Sequence, residues 1–296
     1  MVVTEEAAAG ALPDPRLAGY TGWLARQASL RAEKAGLAVL PPGRDLRDLD
    51  VLGVLADRQL SQARLGDLLE INRTVMISVI DELEAADLAH RERDPADRRR
   101  YALHITAQGR AGLQQMRRPV ENAESKLTVP LAKAGRRRLH ELLRSTIPDL
   151  VAALPGPVTG RTGFLLSYSA RRLRQRREQA LREFGVEPRC VGMLVALDCA
   201  QPCTQEKLAG CMCVTSPTIM PGLDDLASAG LILRGRNPAD RREHVLRLSE
   251  KGQDYLAEAL KAEDAAQRSL SRQLGAAETS ELNTLLTALL PAEAFP

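Results

Sequence analysis

Arg73, Thr74, Ile77 and Ser78 share a segment in which Val75, Val79, Ile80 and Leu83 recur at three- and four-residue steps. On a helix, that spacing gathers the apolar set into one buried stripe and turns the first set outward together with Asp81. A guanidinium at a helix start can donate two hydrogen bonds to a guanine edge, and Thr and Ser hydroxyls suit phosphates or base edges. Asn72, just ahead of them, is a favoured N-cap. A second basic group follows, because five of the ten residues from Arg91 to Arg100 are arginine. Arg98, Arg99 and Arg100 come directly after Pro95-Ala-Asp97, a turn signal, so they are expected at a hairpin tip that can reach phosphates or a narrow minor groove.

The elements that must hold these groups occur twice. Asp94-Pro-Ala-Asp-Arg-Arg-Arg-Tyr-Ala-Leu-His-Ile-Thr-Ala-Gln-Gly109 returns as Asn237-Pro-Ala-Asp-Arg-Arg-Glu-His-Val-Leu-Arg-Leu-Ser-Glu-Lys-Gly252, with seven of sixteen positions identical at an offset of 143. Upstream, Gly19-Tyr-Thr-Gly-Trp-Leu24 matches Gly160-Arg-Thr-Gly-Phe-Leu165 at an offset of 141. A period this long is a duplicated domain, since solenoid repeats run roughly 20–50 residues. The expected division is a tail over 1–13, one domain over 14–153, a join at 154–157 (Leu-Pro-Gly-Pro, read as hostile to helix and strand) and a second domain over 158–296.

Each copy reads as a long amphipathic helix (about 16–36 and 162–184), then a helix at 45–57 or 189–199. Two short helices follow, the first introduced by Ser61 or Thr204, the second by Asn72 or Thr215-Ser216. Next comes a two-stranded hairpin (Leu88–Arg93 with Arg99–Ile105; Leu231–Arg236 with Arg242–Leu248), and Gly230 offers the second copy a C-cap. Thr106 or Ser249 then caps a long helix, and a last helix (133–146; 277–290) closes the copy. The fold class is mainly α with small β-hairpins, arranged as two winged helix-turn-helix domains.

Composition supports a helical reading and narrows the function. Of 296 residues, 44% are hydrophobic, 27% charged and only 3% aromatic, which excludes a disordered chain and disfavours a β-sandwich. The net charge of +3 excludes a uniformly basic coat but not local patches. The opening MVVTEEAAAG lacks the basic start and apolar run of a signal peptide, no apolar run suits a membrane, and five cysteines in so large a chain fit a reducing compartment; the expected location is cytoplasmic. The four histidines (His90, His104, His140, His244) are scattered in sequence, and no phosphate loop, G-x-S-x-G or H-E-x-x-H occurs, so neither an enzyme, a cofactor nor a metal is expected.

Both copies resemble the MarR family of winged-helix transcription regulators. The likeness is carried by Leu60-Ser-Gln-Ala-Arg-Leu65, Asn72-Arg-Thr-Val75, Asp81-Glu-Leu83 and Asp94-Pro-Ala-Asp-Arg-Arg99 with Ile105-Thr-Ala-Gln-Gly109. In the second copy it is carried by Thr204-Gln-Glu-Lys-Leu-Ala209, Val214-Thr-Ser-Pro-Thr218, Leu223-Asp-Asp-Leu226 and Asn237-Pro-Ala-Asp-Arg-Arg242. The resemblance implies a regulator, a repressor by preference, that binds double-stranded DNA at a pseudo-palindrome and leaves it on a small-molecule or oxidative signal. It further implies that this monomeric chain forms, through the N- and C-terminal helices of its copies, the pseudo-dimer that relatives build from two chains. The wing arginines map onto Arg98/Arg99 and Arg241/Arg242; one of each pair would anchor the wing and the other enter the minor groove. The alternative is a ligand- or protein-binding module that no longer binds DNA.

That alternative arises because the second copy departs where bases are read. Arg73, Thr74, Ile77 and Ser78 become Ser216, Pro217, Met220 and Pro221, leaving Ser216 and Thr218 as donors, and Pro221 predicts a kink or a late helix start. Cys190, Cys199, Cys203, Cys211 and Cys213 cluster here; Cys199, Cys203, Cys211 and Cys213 are redox candidates, with metal binding a further alternative that no zinc-finger spacing supports, against the simpler reading of core packing. Tyr20, Trp23, Phe164 and Tyr168 lie in the two leading helices, where they would wall a site for a small aromatic effector or pack as core. The basic run Arg171-Arg-Leu-Arg-Gln-Arg-Arg177 reads as a solvated face or as a contact for an acidic ligand or flanking DNA.

Overall fold

Helix starts follow the capping residues. A computed structural model describes residues 19–93, 101–212, 215–236 and 244–290, with only the backbone of 189 and 190. In it, α1 spans Thr21–Leu37 and α2 Leu46–Leu55. Asp45 caps α2 by accepting from the Arg47 N–H, and its own N–H donates to Asp48 Oδ2 at 3.1 Å. The short strand β1 (Leu60–Ser61) leads into α3 (Gln62–Leu68), whose Arg64 N–H donates to Ser61 Oγ. Asn72 Oδ1 accepts from the Val75 N–H at 2.9 Å and starts α4, Arg73–Ala85.

After α4 the chain forms β2 (Ala89–Arg93) and β3 (Tyr101–Ile105), then α5 (Ala107–Leu127) and α6 (Lys133–Thr146). The sheet order is β1-β3-β2, antiparallel throughout, with Leu60 opposite Leu103 and Ala89 opposite Ile105. Two short helices, α7 (Pro148–Ala153) and α8 (Gly156–Thr159), occupy the expected join. The expectation that 154–157 rejects helix is therefore corrected. Pro157 sits in the first turn of α8, where a proline costs no intrahelical hydrogen bond.

The second copy repeats the order: α9 (Thr162–Glu183), α10 (Pro188–Ala200), α11 (Gln205–Cys211), α12 (Ser216–Ser228), β4 (Ile232–Arg236), β5 (His244–Leu248), α13 (Glu250–Leu274) and α14 (Ala276–Thr287). The counterpart of β1 shrinks to a single bridge, Cys203 opposite Leu246, at positions equivalent to Leu60 and Leu103. Helix α12 begins at Ser216 and runs unbroken to Ser228, so the late start expected from Pro221 is not seen. Pro217 occupies the first turn, where its missing N–H is harmless, and both prolines are exposed, which puts the carbonyl orphaned by Pro221 on the solvent-facing side.

The strand-to-helix junctions explain a motif that the sequence displayed without a reason. Thr106 Oγ1 donates to Asp87 O at 2.6 Å and accepts from the Gly109 N–H at 2.8 Å; Ser249 repeats this with Gly230 O and Gly252. A Cβ on Gly109 would stand 1.9 Å from Leu88 O, and one on Gly252 1.9 Å from Leu231 O. The Thr/Ser-x-x-Gly pattern is thus a cap plus a position with no room for any side chain.

The chain divides into two compact units, and their borders fall inside α1 and α9. A continuous unit comprises Ala28–Ser169; a split unit comprises Met1–Gln27 with Ala170–Pro296. In the continuous unit Leu52, Leu65, Ile80, Leu83, Leu103 and Leu139 are fully buried. In the split unit the core includes Leu181, Leu194, Leu208, Leu223, Leu226 and Leu256, with Trp23 packed against it. No described helix is long and apolar enough to cross a membrane.

Candidate nucleic-acid interface

In α4 the expected outward face is exposed: Arg73, Thr74 and Ser78 lie open, and Ile77 is 40% accessible. Val79, Ile80 and Leu83 are buried as the periodicity required; Val75 is only half-buried, and Met76, absent from the predicted stripe, is the better buried at 1%. The exposed face has two electrostatic halves. Its first turns carry Arg73 and the helix's positive end, whereas its last turns carry Asp81, Glu82 and Glu84. An incoming polyanion would therefore meet the N-terminal half. Ser78 Oγ donates to Glu82 Oε1 at 3.0 Å, which leaves its lone pairs to accept from elsewhere.

Arg91 does work that the sequence reading did not assign. Read as part of the wing's positive charge, it instead fastens β2 to α4. Its guanidinium donates to Asp81 Oδ1 at 2.7 Å, to Glu84 Oε2 and to Gln62 Oε1 of α3 at 3.2 Å, while its N–H donates to Glu84 Oε1 at 2.7 Å. Three elements of the helix-turn-helix and its hairpin are thereby held at one side chain. The second copy keeps half of this clamp: Arg234 donates to Asp224 Oδ1 at 2.5 Å, and Ala227 stands where Glu84 would be. The offset of 143, applied to charged pairs and not to motif strings alone, is the signal that would have found it.

On α12, Thr218, Pro217, Met220 and Pro221 are exposed and Ser216 is half-buried, its carbonyl accepting from Gln205 Nε2 at 3.2 Å. Thr218 Oγ1 is hydrogen-bonded to Thr215 Oγ1 at 2.8 Å. The described outward face of α12 thus carries no cationic donor in its first half. Two residues outside the predicted set are placed alike in both copies: Arg64 and Lys207 are exposed in the first turns of α3 and α11. The wing arginines Arg98, Arg99, Arg241 and Arg242 lie outside the described residues, as does Cys213.

The remaining candidates are distributed as follows. Cys203 is buried, and desolvation, reinforced by nearby Cys211, pushes its thiol above the ordinary range, contrary to what a reactive thiolate needs. Cys211 is half-buried and Cys199 exposed. Phe164 and Tyr168 are buried and stacked at 4.3 Å, and Tyr168 Oη donates to Leu69 O at 2.9 Å, so this pair is core of the continuous unit. Tyr20, whose hydroxyl donates to Asp264 Oδ1 at 2.8 Å, and Trp23 belong to the split unit. A cavity of about 240 Å³ in the continuous unit is lined by Leu49, Gly53, Leu113, Pro157, Val158 and Arg161, among others, and by none of these rings. The basic run on α9 is engaged within its own unit: Arg176 donates to Gln273, Arg177 lies 3.5 Å from the buried Glu263, and Arg174 lies 3.8 Å from Glu178.

The start of each leading helix is held by a matched polar network. At α9, Thr162 Oγ1 is hydrogen-bonded to His140 Nε2 at 2.8 Å, and Arg161 pairs with Asp50 at 2.7 Å and Glu124 at 3.2 Å. Burial opposes the charge of Arg161, yet the two carboxylates hold its pKa above the ordinary arginine value. At α1, Thr21 Oγ1 donates to Asn283 Oδ1 at 2.6 Å and accepts from Gln267 Nε2 at 3.0 Å. Asn283 and Gln267 are the counterparts of His140 and Glu124 at the offset of 143.

Comparison with known proteins places family matches on both copies. Residues 43–100 and 191–244 each match a model of the MarR family. A putative transcriptional regulatory protein for the hcr operon of Thauera aromatica is 33% identical over 95 residues, 32% of this chain and 57% of that protein. The chain thus spans little more than half the length of this curated relative. Among solved structures, the transcriptional repressor CouR bound to a 23-mer DNA duplex is 27% identical, with a TM-score of 0.41 over 45% of this chain and 94% of that one. CouR from Rhodococcus jostii RHA1 bound to p-coumaroyl-CoA is 30% identical, with a TM-score of 0.33 over 37% and 76% of the two chains.

Proposed function

Residues 43–100 and 191–244 match models of the MarR family, and from that premise we propose that the chain is a sequence-specific DNA-binding repressor acting as an intramolecular pseudo-dimer. The observation that carries this reading is the N-terminal half of α4: a capped helix start that exposes Arg73, Thr74, Ile77 and Ser78 ahead of the acidic Asp81, Glu82 and Glu84, with its hairpin clamped alongside by Arg91. Arg73 reads a guanine edge, Ile77 meets a thymine methyl, the Thr74 hydroxyl takes a phosphate or a base edge, and Ser78, its proton given to Glu82, accepts from a base amino group. Arg64 and Lys207, in the first helix of each helix-turn-helix, contact the backbone, and Arg98, Arg99, Arg241 and Arg242 bring the wings to flanking phosphates or the minor groove. With only Ser216 and Thr218 on its reading face, α12 contributes register and phosphate contacts more than base readout.

Release follows when a small effector favours a conformation whose recognition-helix separation no longer fits the half-site spacing. The 240 Å³ cavity, apolar on most sides with Asp57, Gln114 and Arg117 among its polar lining, is the candidate site for a small aromatic effector. The test is titration of wild type, Arg73→Ala and Ser216→Ala/Thr218→Ala against promoter DNA of its own or a neighbouring gene. Arg73→Ala is expected to lose about 10–100-fold in affinity and to relax preference at one base pair, from about 1–3 kcal/mol per bidentate contact. The double variant is expected to lose affinity uniformly across sequences. Equal loss of sequence preference in both would refute the asymmetry, and absence of salt-dependent binding by the wild type would favour a module without DNA affinity.

A further inference from the structure

The outer face of the first hairpin carries a chemistry that DNA recognition does not use. His90 and His104 are direct cross-strand partners on β2 and β3, and Glu92 lies two residues from His90, on the same face. The imidazoles stack with centroids 5.2 Å apart and planes 18° from parallel. Glu92 Oε2 is 3.9 Å from His90 Nε2 and 3.5 Å from His104 Nε2, and one ligand-capable atom from each of the three residues falls within a 4.8 Å span. Both carboxylate distances exceed a normal hydrogen bond to a ring nitrogen. They approach instead the separation of roughly 3.3 Å between ligands on a tetrahedral ion with bonds of about 2.0–2.1 Å.

We propose that this face binds one divalent transition-metal ion of borderline softness, such as zinc(II), copper(II) or nickel(II), through His90, Glu92 and His104. Two imidazoles and a carboxylate are a donor set for that class and a poor one for magnesium or calcium, which prefer oxygen-rich cages. His90 and Glu92 are exposed and His104 is half-buried, so a fourth position stays open to water. The binding face is confined to the first copy, because Leu233, Gly235 and Arg247 stand at the equivalent positions of the second. The antiparallel register is what brings together two histidines fourteen residues apart. An ion there ties β2 to β3 by side chains in addition to the ladder, stabilising the hairpin in proportion to its affinity.

The experiment is zinc(II) titration of the full chain against a chromogenic chelator, on wild type, His90→Gln, Glu92→Gln, His104→Gln and the His90→Gln/His104→Gln pair. The wild type is expected to bind one equivalent more than the pair, and each single variant to weaken that site by at least about 100-fold, since even outer-shell partners are worth 10–100-fold. Cobalt(II) in the site is expected to show ligand-field bands without a thiolate charge-transfer band, which separates it from the second copy's cysteines. Equal stoichiometry and affinity in wild type and pair, or a thiolate band from the lost equivalent, would overturn the proposal. Should the half-buried His104→Gln unfold the hairpin, the exposed His90→Gln carries the same decision.

Discussion

His140 and Gly109 show how much single residues decide in the continuous unit. Burial, and then the neighbouring Arg144, hold the His140 imidazole below its ordinary pKa of 6.5. The folded state therefore binds this proton less readily than the unfolded state does, and stability is lost as pH falls through 6.5 towards the folded pKa. His140→Asn copies the second copy's Asn283, which hydrogen-bonds Thr21 at 2.6 Å without titrating. Its expected outcome is an unchanged melting temperature at pH 7.5 and a smaller drop between pH 7.5 and pH 5.5 than the wild type shows. Gly109→Ala places a methyl 1.9 Å from the Leu88 carbonyl and 2.9 Å from Ile105 Cγ1, where backbone must yield. A loss of at least about 2 kcal/mol is expected in denaturant titration. The glycine itself was visible in the repeated motif; its reason was not, because the carbonyl that forbids a side chain arrives from a hairpin some twenty residues upstream.

At the scale of elements, capping chemistry made most boundaries legible. Asn72, Ser61, Thr106, Thr204 and Ser249 each cap the helix that they were expected to start. These are interactions over three residues, so sequence contains them entirely. The misreadings came from prolines. Helix α8 forms around Pro157, and α12 tolerates Pro221, because in each case the lost N–H falls in a first turn or on a solvent-facing side. Pro221→Ala restores a donor to the Pro217 carbonyl and removes the ring. It is expected to stabilise the split unit by about 1–3 kcal/mol, read as a higher denaturation midpoint with unchanged slope. An unchanged midpoint would mean that α12 already relaxes around the ring. The Arg91 clamp and the half-clamp at Arg234 were illegible for a different reason: arginine in a basic stretch looks like surface charge until the carboxylates ten and seven residues earlier are seen to face it.

At the scale of the whole molecule, each compact unit is completed by the first two turns of the other copy's leading helix. Thr162 and Arg161 start the second copy's first helix yet bind His140, Glu124 and Asp50; Thr21 starts the first copy's yet binds Gln267 and Asn283. The two networks have diverged, one charged and one neutral. Arg161→Ala leaves the 4%-exposed Glu124 side chain and Asp50 without their cation and is expected to cost about 3–5 kcal/mol in the continuous unit. Tyr20→Phe, which removes the exposed bond to Asp264, is expected to cost no more than about 1 kcal/mol in the split unit. Thermal unfolding of both variants, followed by a probe in each unit, checks the contrast. The sequence alone determined the duplication, the helix caps, the hairpins and the exposed face of α4, since each rests on local spacing or on self-comparison. Tertiary structure alone decided that the units divide inside α1 and α9, that Phe164 and Tyr168 are core, and that His90 and His104 face each other. Those outcomes depend on strand register and on contacts up to 264 residues apart along the chain, and local periodicity does not encode which distant surfaces meet.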